Sequence, residues 1–245
     1  MNLEGKTAIV TGSSSGIGAE FSKALVSKGC RVYGLARRAG RLEELRETLG
    51  DLFVPTALDI TDYDELEDWN QKQFGNSAKS HQNEASGPDI LINNAGLGYF
   101  GDVDKMEPDK WDTLIQTNLT AIFRLTRLVV PMMKQKNTVS HIVNISSVAG
   151  LIGNPGLTAY NATKFGLRGF SEALMKELRN ERVKVTCIYP GSIATEFFDD
   201  IGGTHANMMR SEDVANTLIH ILETPDNFLI DEITLRPLVP KAPGK

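Results

Sequence analysis

Tyr160 and Lys164 stand four positions apart in the run Ala159-Tyr-Asn-Ala-Thr-Lys164, a spacing that sets both side chains on one face of a helix. A phenol beside an ammonium can give a proton to a carbonyl oxygen or take one from an alcohol, because the cation favours phenolate and draws the tyrosine toward neutral pH. Ser147 adds a hydroxyl that can donate to the same oxygen and stabilise its developing charge. Asn118, in Thr117-Asn-Leu-Thr, is a short amide that suits either a water anchored near the lysine or an ordinary polar patch on a helix. Proton chemistry of this kind needs a hydride donor beside it, and the N-terminal part of the chain describes a place for one.

That place is Thr11-Gly-Ser-Ser-Ser-Gly-Ile-Gly18, which follows an apolar run and precedes a helical pattern. Gly12 permits a tight turn, Gly16 lets the backbone approach a pyrophosphate, and Gly18 lets the next helix pack closely. Ser14, Ser15 and Ile17 complete a phosphate cradle at the helix N-terminus. The second apolar run ends Gly34-Leu-Ala-Arg-Arg38, where an adenine ribose is expected. An acidic residue there would accept from the 2′-hydroxyl of NAD, whereas the guanidinium groups of Arg37 and Arg38 suit a 2′-phosphate. NADP is therefore the expected cofactor, with Arg37 the stronger candidate. Asp59, with Ile60 beside it, suits either an acceptor for the adenine amino group or a helix N-cap. Asn93-Asn-Ala-Gly96 reads either as a close approach of Asn93, Ala95 and Gly96 to the cofactor or as a plain turn.

The elements that must position these groups follow from hydrophobic patterning. Short apolar runs begin at Thr7, Val32, Phe53, Ile90, His141, Val183 and Phe228, and helix-period segments separate them. The alternation predicts an α/β, Rossmann-type fold, a doubly wound seven-stranded parallel sheet with helices on both faces and ligands at the strands' carboxyl ends. A length of 245 residues with 41% hydrophobic and 23% charged residues fits one domain spanning 1–245. The net charge of −5 is interspersed, which argues against nucleic-acid and membrane partners. Cys30 and Cys187 sit in or beside apolar runs as free thiols, no stretch approaches a membrane span, and the first residues lack a leader's apolar core, so the cytoplasm is expected. His81, His141, His205 and His220 show no ligand spacing, and no metal site is expected. Residues 71–88 form a polar segment whose second half reads as an exposed surface insertion, and the proline-bearing tail from Pro237 is expected to trail over the surface.

The ordered set of motifs resembles the one-domain short-chain dehydrogenases/reductases from end to end: the TGxxxGxG turn, Asn93 to Gly96, the separate Asn118, Ser147 ahead of the Tyr160-xxx-Lys164 pair, and Pro190-Gly191 with Thr195. The resemblance implies that Ser147 rather than Ser146 is catalytic, since it stands thirteen residues before Tyr160. It also implies that Tyr160 and Lys164 hold the nicotinamide ribose, and that Pro190, Gly191, the Ile193 backbone and Thr195 lie near the carboxamide and phosphates. The ending Asp231-Glu-Ile-Thr-Leu-Arg-Pro lacks the Gly-Gly turn of many relatives and looks more like the NADP-dependent 3-hydroxy acid and serine dehydrogenases. A homodimer through the Tyr160 helix and a helix starting near Lys110, or a homotetramer, is implied. That second helix is apolar around much of its circumference, so burial on two sides is expected.

Substrate contacts are expected from Leu97, Gly98 and Tyr99, from Ile152, Gly153 and Asn154, and from a flap at about 191–212. In the flap, Phe197, Phe198, Met208 and Met209 flank Gly202-Gly203 and suit either a hinged apolar cover or core packing. Arg210 is the only arginine there for a carboxylate substrate. The expected activity is NADP(H)-dependent hydride transfer between nicotinamide and a carbonyl or secondary alcohol. Within the enzyme class a 3-hydroxy acid dehydrogenase and a 3-oxoacyl thioester reductase are the alternatives, and outside it a nucleotide-sensing protein without turnover.

Overall fold

The computed structural model of the protein describes residues 1–75, 87–201 and 203–239. Seven strands form one sheet in the order β3-β2-β1-β4-β5-β6-β7: β1 (Thr7–Thr11), β2 (Arg31–Ala36), β3 (Phe53–Ala57), β4 (Ile90–Asn93), β5 (Ser140–Ile145), β6 (Val183–Pro190) and β7 (Glu232–Leu235). Every pairing is parallel. Alternation along β1 distributes the core. Ala8 and Val10 join a cluster with Phe21 and Leu25 of α1 (Gly16–Ser27), Leu42 and Leu45 of α2 (Ala39–Leu49) and Val214, Leu218 and Leu222 of α7 (Ser211–Leu222). Ile9 points the other way, into a cluster with Leu66 of α3 (Tyr63–Phe74), Leu125 and Val129 of α5 (Ala121–Lys134) and Leu174 of α6 (Thr158–Leu178). The sheet is thus covered on both faces, and its strand order reverses between β1 and β4. Ligands bind at such a crevice, beyond the strands' carboxyl ends.

One expectation changes. The last strand begins at Glu232, not Phe228, because side chains claim the preceding backbone: Lys184 donates to the carbonyls of Pro225 (2.6 Å) and Phe228 (2.7 Å), and Thr186 donates to that of Ile230 (2.6 Å). The helix expected near Lys110 is α4 (Pro108–Ile115) running through a π-helical turn, Gln116–Thr120, into α5. Within the single chain Leu114, Leu125 and Val129 are covered while Trp111 and Phe123 remain exposed. The exposed insertion expected in the second half of 71–88 lies largely outside the described residues, as does the tail beyond 239. Among the described residues no helix is long and apolar enough to cross a membrane.

Candidate active site

Six strands deliver their carboxyl ends to one groove of about 840 Å³. The glycine turn follows β1, Arg37 and Arg38 follow β2, Leu58 to Thr61 follow β3, Asn94 to Leu97 follow β4, Ser146 to Ala149 follow β5, and Pro190 to Thr195 end and follow β6. Two glycines of the turn have left-handed backbone, Gly12 at φ 73° and Gly16 at φ 53°. Gly18 is needed for space: a Cβ there would meet the Gly12 carbonyl oxygen at 2.3 Å and Asn94 Nδ2 at 2.6 Å. The first turn of α1, with Ser14, Ser15, Gly16 and Ile17, therefore sits hard against the β1 end and leaves its amides open to the groove. Thr11 ties the next segment to it, its hydroxyl accepting from the N–H of Asn94 (3.0 Å) and of Ala95 (2.9 Å).

Ala95, Gly96, Pro190, Gly191, Ile193 and Thr195 all line the groove. Asn93 does not. Its buried amide donates to Asn144 Oδ1 (2.8 Å) and Thr126 Oγ1 (3.2 Å), so the strand points it into the protein and Asn94 becomes the groove residue. Asp59 and Ile60 line the adenosine end. Asp59 caps its own turn by accepting from the N–H (2.9 Å) and hydroxyl (2.8 Å) of Thr61, whereas Asp62 is the N-cap of α3. The two arginines differ in their engagements. Arg38 donates to Ser14 (3.1 Å), Ser15 (2.5 Å) and Glu196 (3.1 Å), the last shared with Arg41. Arg37 is 74% exposed and meets Asp59 only at 4.0 Å. A glycine-walled cradle, helix amides at the groove and a largely exposed Arg37 guanidinium form a donor set that fits the phosphates of a nicotinamide dinucleotide.

At the other end, α6 holds Tyr160 and Lys164 buried, with the Lys164 ammonium 5.6 Å from the tyrosine ring centroid. Lys164 donates to the Ile145 carbonyl (3.0 Å). Burial pushes the Lys164 ammonium down to about 8 and the Tyr160 phenol up to about 12, the latter opposed by a hydrogen bond with Ser147. Desolvation therefore outweighs the Ser147 hydrogen bond in this state, and the tyrosine stands as a phenol. Ser147 lies beside it, while Ser146 is turned inward to donate to the Lys164 carbonyl (3.1 Å). Asn118 sits in the π-helical turn, where its amide accepts from Leu97 N–H (3.0 Å) and donates to Leu97 C=O (2.9 Å) and Thr163 (3.1 Å). It fixes the chain leaving β4.

The substrate side corrects several expectations. Leu97, Asn154, Phe197 and Phe198 line the groove, but Tyr99 turns out to pack under Lys110 and Phe100 takes its place, its ring 5.9 Å from that of Tyr160. Ile152 is exposed, and neither it nor Gly153 lines the groove. Met209 closes the base of the flap, pairing with Ile193 and packing on the core. Arg210 is the N-cap residue of α7, 3.5 Å from Asp213; it lines not the groove but an adjoining pocket that shares Ser14, Ser15, Gly16 and Glu196 with it. Patterning missed Asn161, a buried amide on α6 that accepts from Asn154 N–H (3.2 Å) and donates to the carbonyls of Ile152 (2.8 Å) and Ala149, stitching the Ser147 loop to the Tyr160 helix.

Residues 6–205 match the family model for short chain dehydrogenase. The chain is 37% identical over 196 residues to a 3-oxoacyl-[acyl-carrier-protein] reductase of Vibrio harveyi, covering 80% of this chain and 77% of that protein. It is 33% identical over 250 residues to a farnesol dehydrogenase of Aedes aegypti, covering 96% of each. Among solved structures, the closed form of a serine dehydrogenase complexed with NADP+ superposes with a TM-score of 0.84 at 29% identity, covering 98% of both chains. Since the matched residues carry six of the seven strands and every segment that walls the groove, the chain belongs to the short-chain dehydrogenase/reductase family, oxidoreductases of CH–OH and C=O groups that use a nicotinamide dinucleotide.

Proposed function

We propose that the protein is a reductase of ketones that prefers NADPH, with Tyr160 as the acid, Ser147 as the second donor to the substrate oxygen, and Lys164 holding the nicotinamide ribose. The observation that carries this reading is one continuous groove with a largely exposed Arg37, paired only at 4.0 Å with Asp59, at its adenosine end and the buried Tyr160 and Lys164, with Ser147 beside them, at the other. When bound, the reduced nicotinamide supplies a hydride to the carbonyl carbon. Tyr160, kept protonated by burial, supplies the proton to the oxygen, and Ser147 donates to that oxygen as charge develops on it. Asn118, buried and bound to Leu97 and Thr163, keeps Leu97 and the segment beside Lys164 in place.

The reading extends to assembly and compartment. Trp111, Phe123 and Phe165 leave large apolar side chains exposed on α4, α5 and α6, which supports a homodimer through these helices, to be measured by light scattering during size exclusion. The buried free thiols Cys30 and Cys187 suit the reducing cytoplasm. The decisive test is Tyr160→Phe: NADPH titration should stay near the wild-type value while ketone turnover falls by about two to four decades. Turnover within a few fold of wild type would remove Tyr160 from the chemistry.

A further inference from the structure

The Tyr160 ring is walled by aromatic side chains. Phe100 and Phe197 stand 5.9 Å and 5.8 Å from it and 5.9 Å from each other, so three rings mark the corners of a nearly equilateral triangle. Leu97, Val148 and Leu157 continue the apolar wall. Phe100 reaches the triangle from the segment after β4 and Phe197 from the flap. Both close over Gly98, where a Cβ would lie 2.7 Å from Phe197 Cζ and 2.8 Å from Phe100 Cζ. Gly98 has no left-handed backbone, so what the position requires is the empty space that the two rings fill.

Charge is distributed in the opposite sense. Among the described residues lining the groove, the arginines are Arg37 and Arg38, both at the adenosine end, and the only lysine is Lys164, already bound to the Ile145 carbonyl. Arg210 is held at α7 by Asp213, and Lys110 is turned toward Tyr99 and Glu107. The acids that line the groove beyond Asp59 are Asp112 on α4 and Glu196, whose carboxylate is committed to Arg38 and Arg41. A substrate carboxylate beside Tyr160 would thus lose water, find no free cation and face Asp112. A flat apolar group would instead exchange water for ring faces and edges.

We infer that the substrate is an uncharged, flat, apolar ketone, aryl or allylic, or the matching secondary alcohol, packed against the Phe100 and Phe197 rings with its oxygen toward Tyr160 and Ser147. The inference rests on the carbonyl-reductase reading and adds to it the class of carbonyl compound. Phe197 and Phe100 set that class, and Gly98 lets them meet.

The test compares acetophenone, acetoacetate and ethyl acetoacetate with the full-length protein and NADPH, the last two differing in whether the charge is present. Acetophenone should exceed the ester, and the ester the acid, by about tenfold or more each in kcat/KM. Calorimetry should detect acetophenone binding to the NADP+ complex and no acetoacetate binding. Phe197→Ala should lower kcat/KM for acetophenone by about tenfold, the ester being less affected, with NADPH affinity within about twofold of wild type. Gly98→Ala should reproduce this by displacing Phe197; if it lowers the Tm sharply, Phe197→Leu, which keeps apolar volume without the ring, decides. Acetoacetate turned over as well as acetophenone would overturn the inference and leave the reductase reading standing. A Phe197→Ala variant with unchanged discrimination would overturn it too. Absence of hydride transfer to all three, together with no binding of acetophenone, would sink both.

Discussion

Arg37→Ala isolates the one difference between the two nicotinamide dinucleotides, the 2′-phosphate. The Arg37 guanidinium lies at the β2 end with 74% of its side chain exposed, and among the described residues it meets only the Asp59 carboxylate, at 4.0 Å. A charge-assisted contact contributes about 1.5 to 3 kcal/mol, and about 1.4 kcal/mol corresponds to a decade of affinity. An exposed pair is screened by solvent, which places the expected loss toward the lower bound, about tenfold for NADPH with NADH nearly unchanged. Arg38→Ala provides the contrast. Its donors already serve Ser14, Ser15 and Glu196, so its loss loosens the turn and the flap for both cofactors and moves their ratio less. The assay is titration of each variant with NADPH and with NADH at one fixed ionic strength, since salt alone weakens exposed phosphate contacts. Parallel losses for the two cofactors at Arg37, or a larger change of ratio at Arg38, would refute the assignment.

Gly18→Ala should cost about 1 to 3 kcal/mol of stability and abolish tight cofactor binding, because its Cβ would press on the Gly12 carbonyl at 2.3 Å. Gly40→Ala on α2, with nothing within 4 Å, should be neutral or stabilising by up to about 1 kcal/mol, and equal melting temperatures for the two variants would contradict the close packing. His141 is buried, its Nε2 is 2.8 Å from the Thr186 hydroxyl, its Nδ1 has no partner among the described residues, and burial lowers its pKa from 6.5 to about 3. Below pH 6.5 the unfolded chain binds a proton that the folded chain refuses, so stability should fall as pH drops from 6.5 toward 3. The loss should be on the order of 2 to 3 kcal/mol at about pH 4.5. Urea unfolding of His141→Gln should show a flatter acid limb, and an acid limb identical to wild type would assign the loss to other groups.

Patterning made the sheet legible because each strand writes its own two-sided burial: Ala8 and Val10 against Ile9 in β1 already separate the two helical layers. Spacing made the Tyr160 and Lys164 pair legible for the same local reason, and three glycines marked the cradle. What escaped depends on segments far apart in the chain. Nothing in the run from Pro108 to Lys134 announces the π-helical turn that aims Asn118 at Leu97, since a single such turn is too short to write a period of its own. Tyr99 and Phe100 are equally aromatic neighbours, and which ring enters the groove is decided by Gly98 and by Phe197, almost a hundred residues later.

The tyrosine's proton is the clearest case. Read from spacing alone, Lys164 should lower the phenol's pKa, but the rings of Phe100 and Phe197 help exclude the water that would solvate a phenolate, and burial raises it to about 12. The resting site is therefore an acid ready for a carbonyl. Running the reaction toward the ketone requires that proton to leave first, and the charges able to draw it off are the Lys164 ammonium and the positive ring of an oxidised nicotinamide. Because Lys164 is itself lowered to about 8, its help fades as pH rises through that value, just where solution conditions begin to favour proton release. A catalyst leaves the equilibrium unchanged, so what the two shifts set is where each direction finds its proton: reduction takes it from Tyr160 as it stands, whereas oxidation must first draw it off.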